Sequence, residues 1–224
     1  MIIAERLPDL GDPLPIGATA IQARLAEAAI ELFFERGALA TTVRDITGAC
    51  GLTPGALYNH FESKDHLLYL VVRDIHRQVD DQLAALLAAT DDDPVTQLAA
   101  AVRFLVSHTA GFKKRSRVAN REFTLLTGSR RLEITEIRRK MRDRFAGIIL
   151  AGAQQGVFSL IGGDDIGAAT MHAATITTMC VRISESTLEH TRLSVAALQD
   201  RYAELALRML GAGHPVTGSG DPSP

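Results

Sequence analysis

The sequence predicts an all-α protein of about nine helices, on three observations. Apolar residues recur at spacings of three and four along most of the 224-residue chain. The periodic segments open on Ser, Thr, Asp or Pro and tend to stop at Gly, the chemistry of helix ends. No run alternates apolar and polar residues as a half-buried strand would, and no internal repeat is visible.

Residues 1–18 hold three Pro and two Gly without a period and read as a flexible arm. Their start, "MIIAERLPDLGDPLPIG", lacks the basic front and cleavage site of a signal peptide. The first helix carries the stripe Ile21, Leu25, Ala28, Leu32 and Phe33 and ends at Gly37. Thr42 with Asp45 forms a capping-box-like start for a short helix that stops near Cys50 and Gly51. Thr53 and Pro54 open another, through "LTPGALYNHF", Leu52 to Phe61. Ser63 caps a long helix to about Ala89.

"TDDDP" breaks the chain, and a helix over Pro94–His108 follows. A basic loop then leads to a short helix near Val118–Leu126. The next is long, with Ile134, Ile137, Met141, Phe145 and Ile148 on one stripe, and ends near Gly156. Asp164–Ser184 and Ser194–Leu210 complete the set. Residues 211–224, "GAGHPVTGSGDPSP", have the composition of a disordered tail.

No apolar run approaches the ~20 residues of a membrane span. The two cysteines, Cys50 and Cys180, read as buried free thiols of a cytoplasmic protein. The net charge of −2 hides an asymmetry. Residues 112–150 hold twelve Lys/Arg against four Asp/Glu, a net +8, and residues 80–111 hold five Asp against one Arg, a net −4.

The pair of short helices joined at Gly51 has the layout of a helix-turn-helix spanning 42–61. Val43, Ile46 and Ala49 are expected to pack on Leu57 and Phe61. That leaves Thr53, Pro54, Gly55, Ala56, Tyr58, Asn59 and His60 facing outward. Small and hydrogen-bonding side chains suit a helix that enters a major groove. Gly55 and Ala56 let its backbone come close, Thr53 can donate to a phosphate, and Asn59 can read a base edge. Thr42 and Arg44 flank the motif, and Lys64 brings a cation to the next helix start. Read from the residues alone, the same geometry also serves as plain packing. Charge does not decide, since residues 19–79 hold six Lys/Arg against seven Asp/Glu.

"AIELFFERGALATTVRDITGACGLTPGALYNHFESKDHLL", Ala29 to Leu68, closely resembles the N-terminal domain of TetR-family transcriptional regulators. The matching pieces are the Gly37–Thr41–Thr42 entry, the Ile46–Ala49–Gly51 turn, Thr53–Gly55, and "LYNHF" followed by Lys64 and Leu67. Thr47 and Cys50 stand where Ala is usual in that family, and Thr53 where Ser is common. The resemblance covers residues 19–79 and implies a DNA-binding domain there, with ligand binding and dimerisation over 80–210. It implies a homodimer, usually a repressor, that leaves its double-stranded DNA operator when a small ligand binds.

A dimeric helix-turn-helix protein must hold two recognition helices about 34–36 Å apart, or a multiple of that. Val195, Leu198, Tyr202, Leu205 and Met209 on the last helix, beside the small residues of the helix before it, are the candidate interface. The same stripe would also serve an ordinary core. Polar groups on apolar faces, Glu122 beside Phe123 and then His172, Thr175 and Thr178, are candidate ligand contacts or satisfied core groups. Met141 and Phe145 would supply apolar contact.

In the basic segment, Arg138, Arg139 and Arg142 with Lys114, Arg115 and Arg117 offer charge to phosphates, or form a solvated face. "NREFTLL" and the basic helix after it loosely resemble TetR-family regulators of fatty-acid and sterol degradation, some of which sense acyl-CoA. That resemblance implies an acyl-CoA thioester as effector, with a drug-like or natural-product ligand as the alternative. A helical interaction module without DNA binding is the rival from another class. No phosphate loop, nucleophile elbow or paired-carboxylate motif points to an enzyme or a cofactor. His172 and His190 are too far apart for metal-ligand spacing, so no metal is expected.

Overall fold

The computed structural model describes residues 19–185 and 193–212. The expected arm 1–18, most of the expected tail and His190 lie outside the described residues. Helix α1 (Ala20–Arg36) starts on Thr19, whose side chain accepts from the Gln22 N–H. Helix α2 (Val43–Ala49) opens on the full capping box, with Thr42 and Asp45 bonding each other's backbone N–H. Gly51 makes the turn at φ +67°, a left-handed conformation that glycine adopts without strain. Helix α3 (Pro54–Tyr58) has five residues, and the Thr53 side chain makes no cap bond to it.

Helix α4 (Lys64–Ala88) is capped by Ser63, and α5 (Pro94–Gly111) by Asp93 through the Thr96 N–H at 2.8 Å. Helix α6 (Lys113–Glu122) runs into a 3-10 turn, Phe123–Leu125. Helix α7 (Gly128–Gln154) is followed by α8 (Ile166–Val181), with Asp165 rather than Asp164 as its cap, and a 3-10 turn over Arg182–Ser184. Helix α9 (Val195–Met209) starts on Ser194. Among the described residues no helix is long and apolar enough to cross a membrane.

One boundary differs from expectation. Residues 113–117 were expected as a basic loop, and they form the first turns of α6. Cations at a helix N-terminus oppose its dipole, and Phe112 offers no side-chain cap, so the local signals argue against a helix there. Tertiary ion pairs compensate: Lys114 Nζ reaches Glu31 at 2.5 Å, and Arg115 pairs with Glu27, both acids on α1.

Two apolar cores meet along α4. The first joins Leu25, Ile30 and Phe33 of α1 to Ile46, Leu57, Phe61 and the α4 residues Leu67 to Ile75. It also takes Val118 and Ala119 of α6 and Ile134 of α7, so α6 is built into the N-terminal core. The second gathers Leu83 of α4 with α5, the end of α7, α8 and α9. In it the Phe158 ring occupies the space beside Gly152 where a side chain would stand. A continuous α4 therefore carries the end of the helix-turn-helix into the larger helical body.

Candidate DNA-binding face and effector cavity

On α2 the inward positions are Val43, Ile46, Thr47 and Cys50, spaced three, one and three apart. Ala49, expected inside, is exposed because this stripe turns it away. Thr47 hides its hydroxyl by donating to the Val43 carbonyl at 2.9 Å. Cys50 is partly buried rather than buried, against Arg24 of α1. Leu57 and Phe61 fix α3 from below. Tyr58 is 58% exposed, Thr53, Pro54, Gly55 and Asn59 are exposed, and Ala56 and His60 are partly so. A Cβ at Gly55 would meet nothing within 4 Å, so this side of α3 is open to a close partner.

Two members of the expected contact set have work inside the fold. Lys64 Nζ donates to the carbonyls of Ala38 and Thr41, both at 2.7 Å, so its charge closes the α1–α2 turn. The Thr42 hydroxyl is engaged with Asp45 at 2.7 Å. That bond and the nearby Arg36 hold the Asp45 carboxyl below its usual range. Arg44 remains the exposed cation on α2.

Between α4, α5, α6, α7 and α8 lies a cavity of about 230 Å³. Its apolar wall is Ile75, Val79, Leu105, Ile137, Met141 and Val181, and its polar wall includes His76, His108, Ser116, Asn120, Arg138 and Arg142. Arg138 donates through Nη1 to Asn120 Oδ1 at 2.9 Å and shares 3.1 Å with His76 Nε2, while its guanidinium lies over the Phe123 ring. His76 Nδ1 meets the Val72 carbonyl at 2.8 Å. Since a guanidinium only donates, His76 Nε2 is the acceptor and its proton sits on Nδ1. Burial pushes His76 down to about 4, helped by the Arg138 charge. Burial, then Arg115, puts His108 at about 4 as well. Both rings are neutral at pH 7. Burial, then the like charge of Arg142, lowers Arg138 from its ordinary value.

Of the expected ligand contacts, Arg138, Met141, Arg142 and Thr178 line this cavity. The others are placed elsewhere. Glu122 is buried, accepting from the Ala38 N–H at 3.2 Å and from Arg121 at 2.7 Å, so it seats α6 on the α1–α2 turn. Phe123 packs on the first core beneath Arg131 and Arg138. Phe145 is fully buried in the second core. His172 accepts from the Ile161 N–H at 3.1 Å, away from the cavity. Thr175 is exposed and donates to the Met171 carbonyl. On α8 the cavity is met by Ala174, Thr177, Thr178 and Val181.

The basic segment is largely neutralised within the fold. Arg139 is held on the surface by Glu136 at 2.7 Å and Asp143 at 2.5 Å. Arg144 pairs with Asp80 at 3.0 Å and Arg130 with Glu62 at 3.3 Å. Arg117 lies over Phe34. Lys114 and Arg115, expected at phosphates, are the two that pair with α1.

The family models agree with this layout. Residues 25–70 match the bacterial regulatory proteins of the tetR family, and residues 91–210 match the tetracyclin repressor-like C-terminal domain. The chain belongs to the tetR family. Against the HTH-type transcriptional repressor KstR2 of Rhodococcus jostii it is 31% identical over 150 residues, 63% of this chain and 70% of that one. A solved tetR-family regulatory protein from Rhodococcus RHA1 superposes with a TM-score of 0.78 at 34% identity, covering 87% of this chain and 98% of that one. The regulator AibR, solved with isovaleryl coenzyme A and operator DNA, superposes at 0.71 with 24% identity, covering 83% of this chain and 95% of that one.

As a tetR-family member the chain is a transcriptional repressor with a DNA-binding helix-turn-helix and a C-terminal ligand-binding domain. His76, His108, Ser116 and Asn120 were not singled out from the sequence. The available signal was a histidine inside an apolar stripe, in "VVRDIHRQV" and "FLVSHTA", which is equally the signature of a satisfied core residue. On α9, Leu198 is buried, Tyr202 and Met209 are partly buried on the second core, and Val195 and Leu205 are exposed. The expected stripe therefore divides between an inner edge packed on α5 and an outer edge left exposed.

Proposed function

We propose that this repressor binds its operator as a homodimer joined through α8 and α9, and leaves it when an acyl-CoA thioester places its acyl group in the cavity. The observation that carries the reading is α4. Its first residue fixes the α1–α2 turn through Lys64, and three turns on it supplies Ile75, His76 and Val79 to the cavity wall. An effector that moves α4 therefore moves the recognition helix with it.

Thr53, Gly55, Ala56, Tyr58, Asn59 and His60 of the open face of α3 meet the groove, with Arg44 toward phosphates. The isovaleryl coenzyme A bound by AibR supports a thioester on this fold. The cavity, at about 230 Å³, is smaller than the ~300–1,000 Å³ that encloses a drug-sized ligand, which favours a compact acyl group over a drug-like molecule.

The test is fluorescence anisotropy on the DNA upstream of the protein's own gene, titrated with acyl-CoA thioesters of increasing chain length. Specific, salt-sensitive binding reversed by a thioester is the expected result. Binding that no thioester reverses would remove the effector assignment, and absence of binding would remove the operator assignment.

A further inference from the structure

We propose that the cavity receives a carboxylate of the effector, held between Arg138 and Arg142 with the Ser116 hydroxyl donating to it. The proposal deepens the effector reading and rests on it, because it takes this cavity as the effector site.

Among the described residues neither guanidinium has a carboxylate within ion-pair distance, although six other cations of the same segment do. Arg138 rests on two neutral acceptors, Asn120 and His76. Arg142 Nε is buried without a hydrogen-bond partner. Ser116, 4% exposed, also has a buried hydroxyl without a partner. Buried polar groups are normally paired, and a guanidinium cannot shed its proton to escape burial. Two unmet donors, Arg142 Nε and Ser116 Oγ, beside the uncompensated charge of Arg138 and with no acid in the lining, call for an anionic acceptor from outside.

A planar carboxylate matches the fork of a guanidinium and can be bound bidentately. The lining also has an apolar part, including Ile75, Val79 and Leu105, which suits a short hydrocarbon body. The nucleotide part of coenzyme A exceeds this volume and stays outside. The carboxylate is therefore that of a free acid, or the far-end carboxylate of a dicarboxylic half-thioester.

The experiment is calorimetric titration of the full chain with two matched pairs across four to ten carbons. The first pair is a monocarboxylate and its primary amide, for example hexanoate and hexanamide. The second is the dicarboxylic half-thioester and the plain thioester, for example adipoyl-CoA and hexanoyl-CoA. A tenfold or greater preference for the charged member of either pair is expected, and which pair shows it identifies the source. Arg138→Gln and Arg142→Gln should each remove that preference, Arg138→Lys should restore part of it, and Arg139→Gln should bind like the parent. Melting curves establish that each variant is folded.

Equal affinity within both pairs, preference for the uncharged members, or no binding by any of them would overturn the proposal. If hexanoyl-CoA still releases operator DNA in those cases, the thioester effector stands while the buried carboxylate falls. If no compound releases the DNA, both fall.

Discussion

At the scale of single residues, Gly152 sets the tightest packing requirement. A Cβ there would stand 2.1 Å from a Phe158 ring carbon, with two more ring atoms inside 3.0 Å. Gly152→Ala should therefore lose about 1–3 kcal/mol, read as a lower urea midpoint at unchanged slope. Tyr58 is the opposite case, since its ring is mostly in water. Tyr58→Ala should leave the melting temperature within a degree or two and weaken operator binding several-fold, and equal anisotropy curves for variant and parent would remove Tyr58 from the contact surface. His76 and His108 set a pH dependence. Both titrate near 4 in the fold against an ordinary 6.5, so between those values the unfolded chain binds more protons. Their stabilising contribution is complete above about pH 6.5 and is lost as the pH falls toward 4. Urea midpoints at pH 7 and pH 5 should differ, and the His76→Gln, His108→Gln double variant should flatten that difference. Asp45, held below its usual value of 3.8, acts with the same sign in a more acidic window.

At the scale of elements, α9 shows why a stripe read from spacing needs the fold to interpret it. Leu198 and Leu205 belong to one periodic face, yet Leu198 is 8% exposed and Leu205 is 51% exposed. Glutamate at the two positions should have different outcomes. Leu205→Glu should give folded monomers by light scattering, while Leu198→Glu should lower the melting temperature by burying an unpaired charge. A Leu205→Glu protein of unchanged dimeric mass would move the interface off this face. Helix α6 makes the converse point. Its first turn carries Lys113, Lys114 and Arg115, a pattern that locally disfavours a helix start, and Glu31 and Glu27 on α1 compensate Lys114 and Arg115. Tertiary partners more than eighty residues away are not visible in a local window, which is why the sequence placed a loop there.

At the scale of the whole molecule, the helical class and the helix-turn-helix were legible because their signals are local: caps, a glycine turn and short-range stripes. The capping box at Thr42 formed as read, and Tyr58 and Asn59 face outward as read. The cavity was legible only in part. Arg138, Met141 and Arg142 lie three and four apart on one helix, so periodicity brought them together. Glu122 and His172 had the same credentials and were taken up by backbone N–H groups of other segments, the distant α1–α2 turn and the loop before α8, information that burial pattern alone does not hold. Lys64, expected at a phosphate, is likewise engaged by backbone carbonyls of the α1–α2 turn, which a local window around it does not include. One consequence of the α6 seat concerns ionic strength. The joint between α6 and α1 has an outer seam, the exposed Lys114–Glu31 pair and the part-buried Arg115–Glu27 pair, and an inner pin where buried Glu122 holds the Ala38 N–H. Dissolved ions screen the seam and leave the pin. Salt should then act on this regulator twice: directly, by weakening phosphate contacts, and indirectly, by slackening a joint that the proposed coupling of cavity and recognition helix would use. The factor by which operator DNA depresses effector affinity should shrink as potassium chloride rises, down to a floor set by the pin.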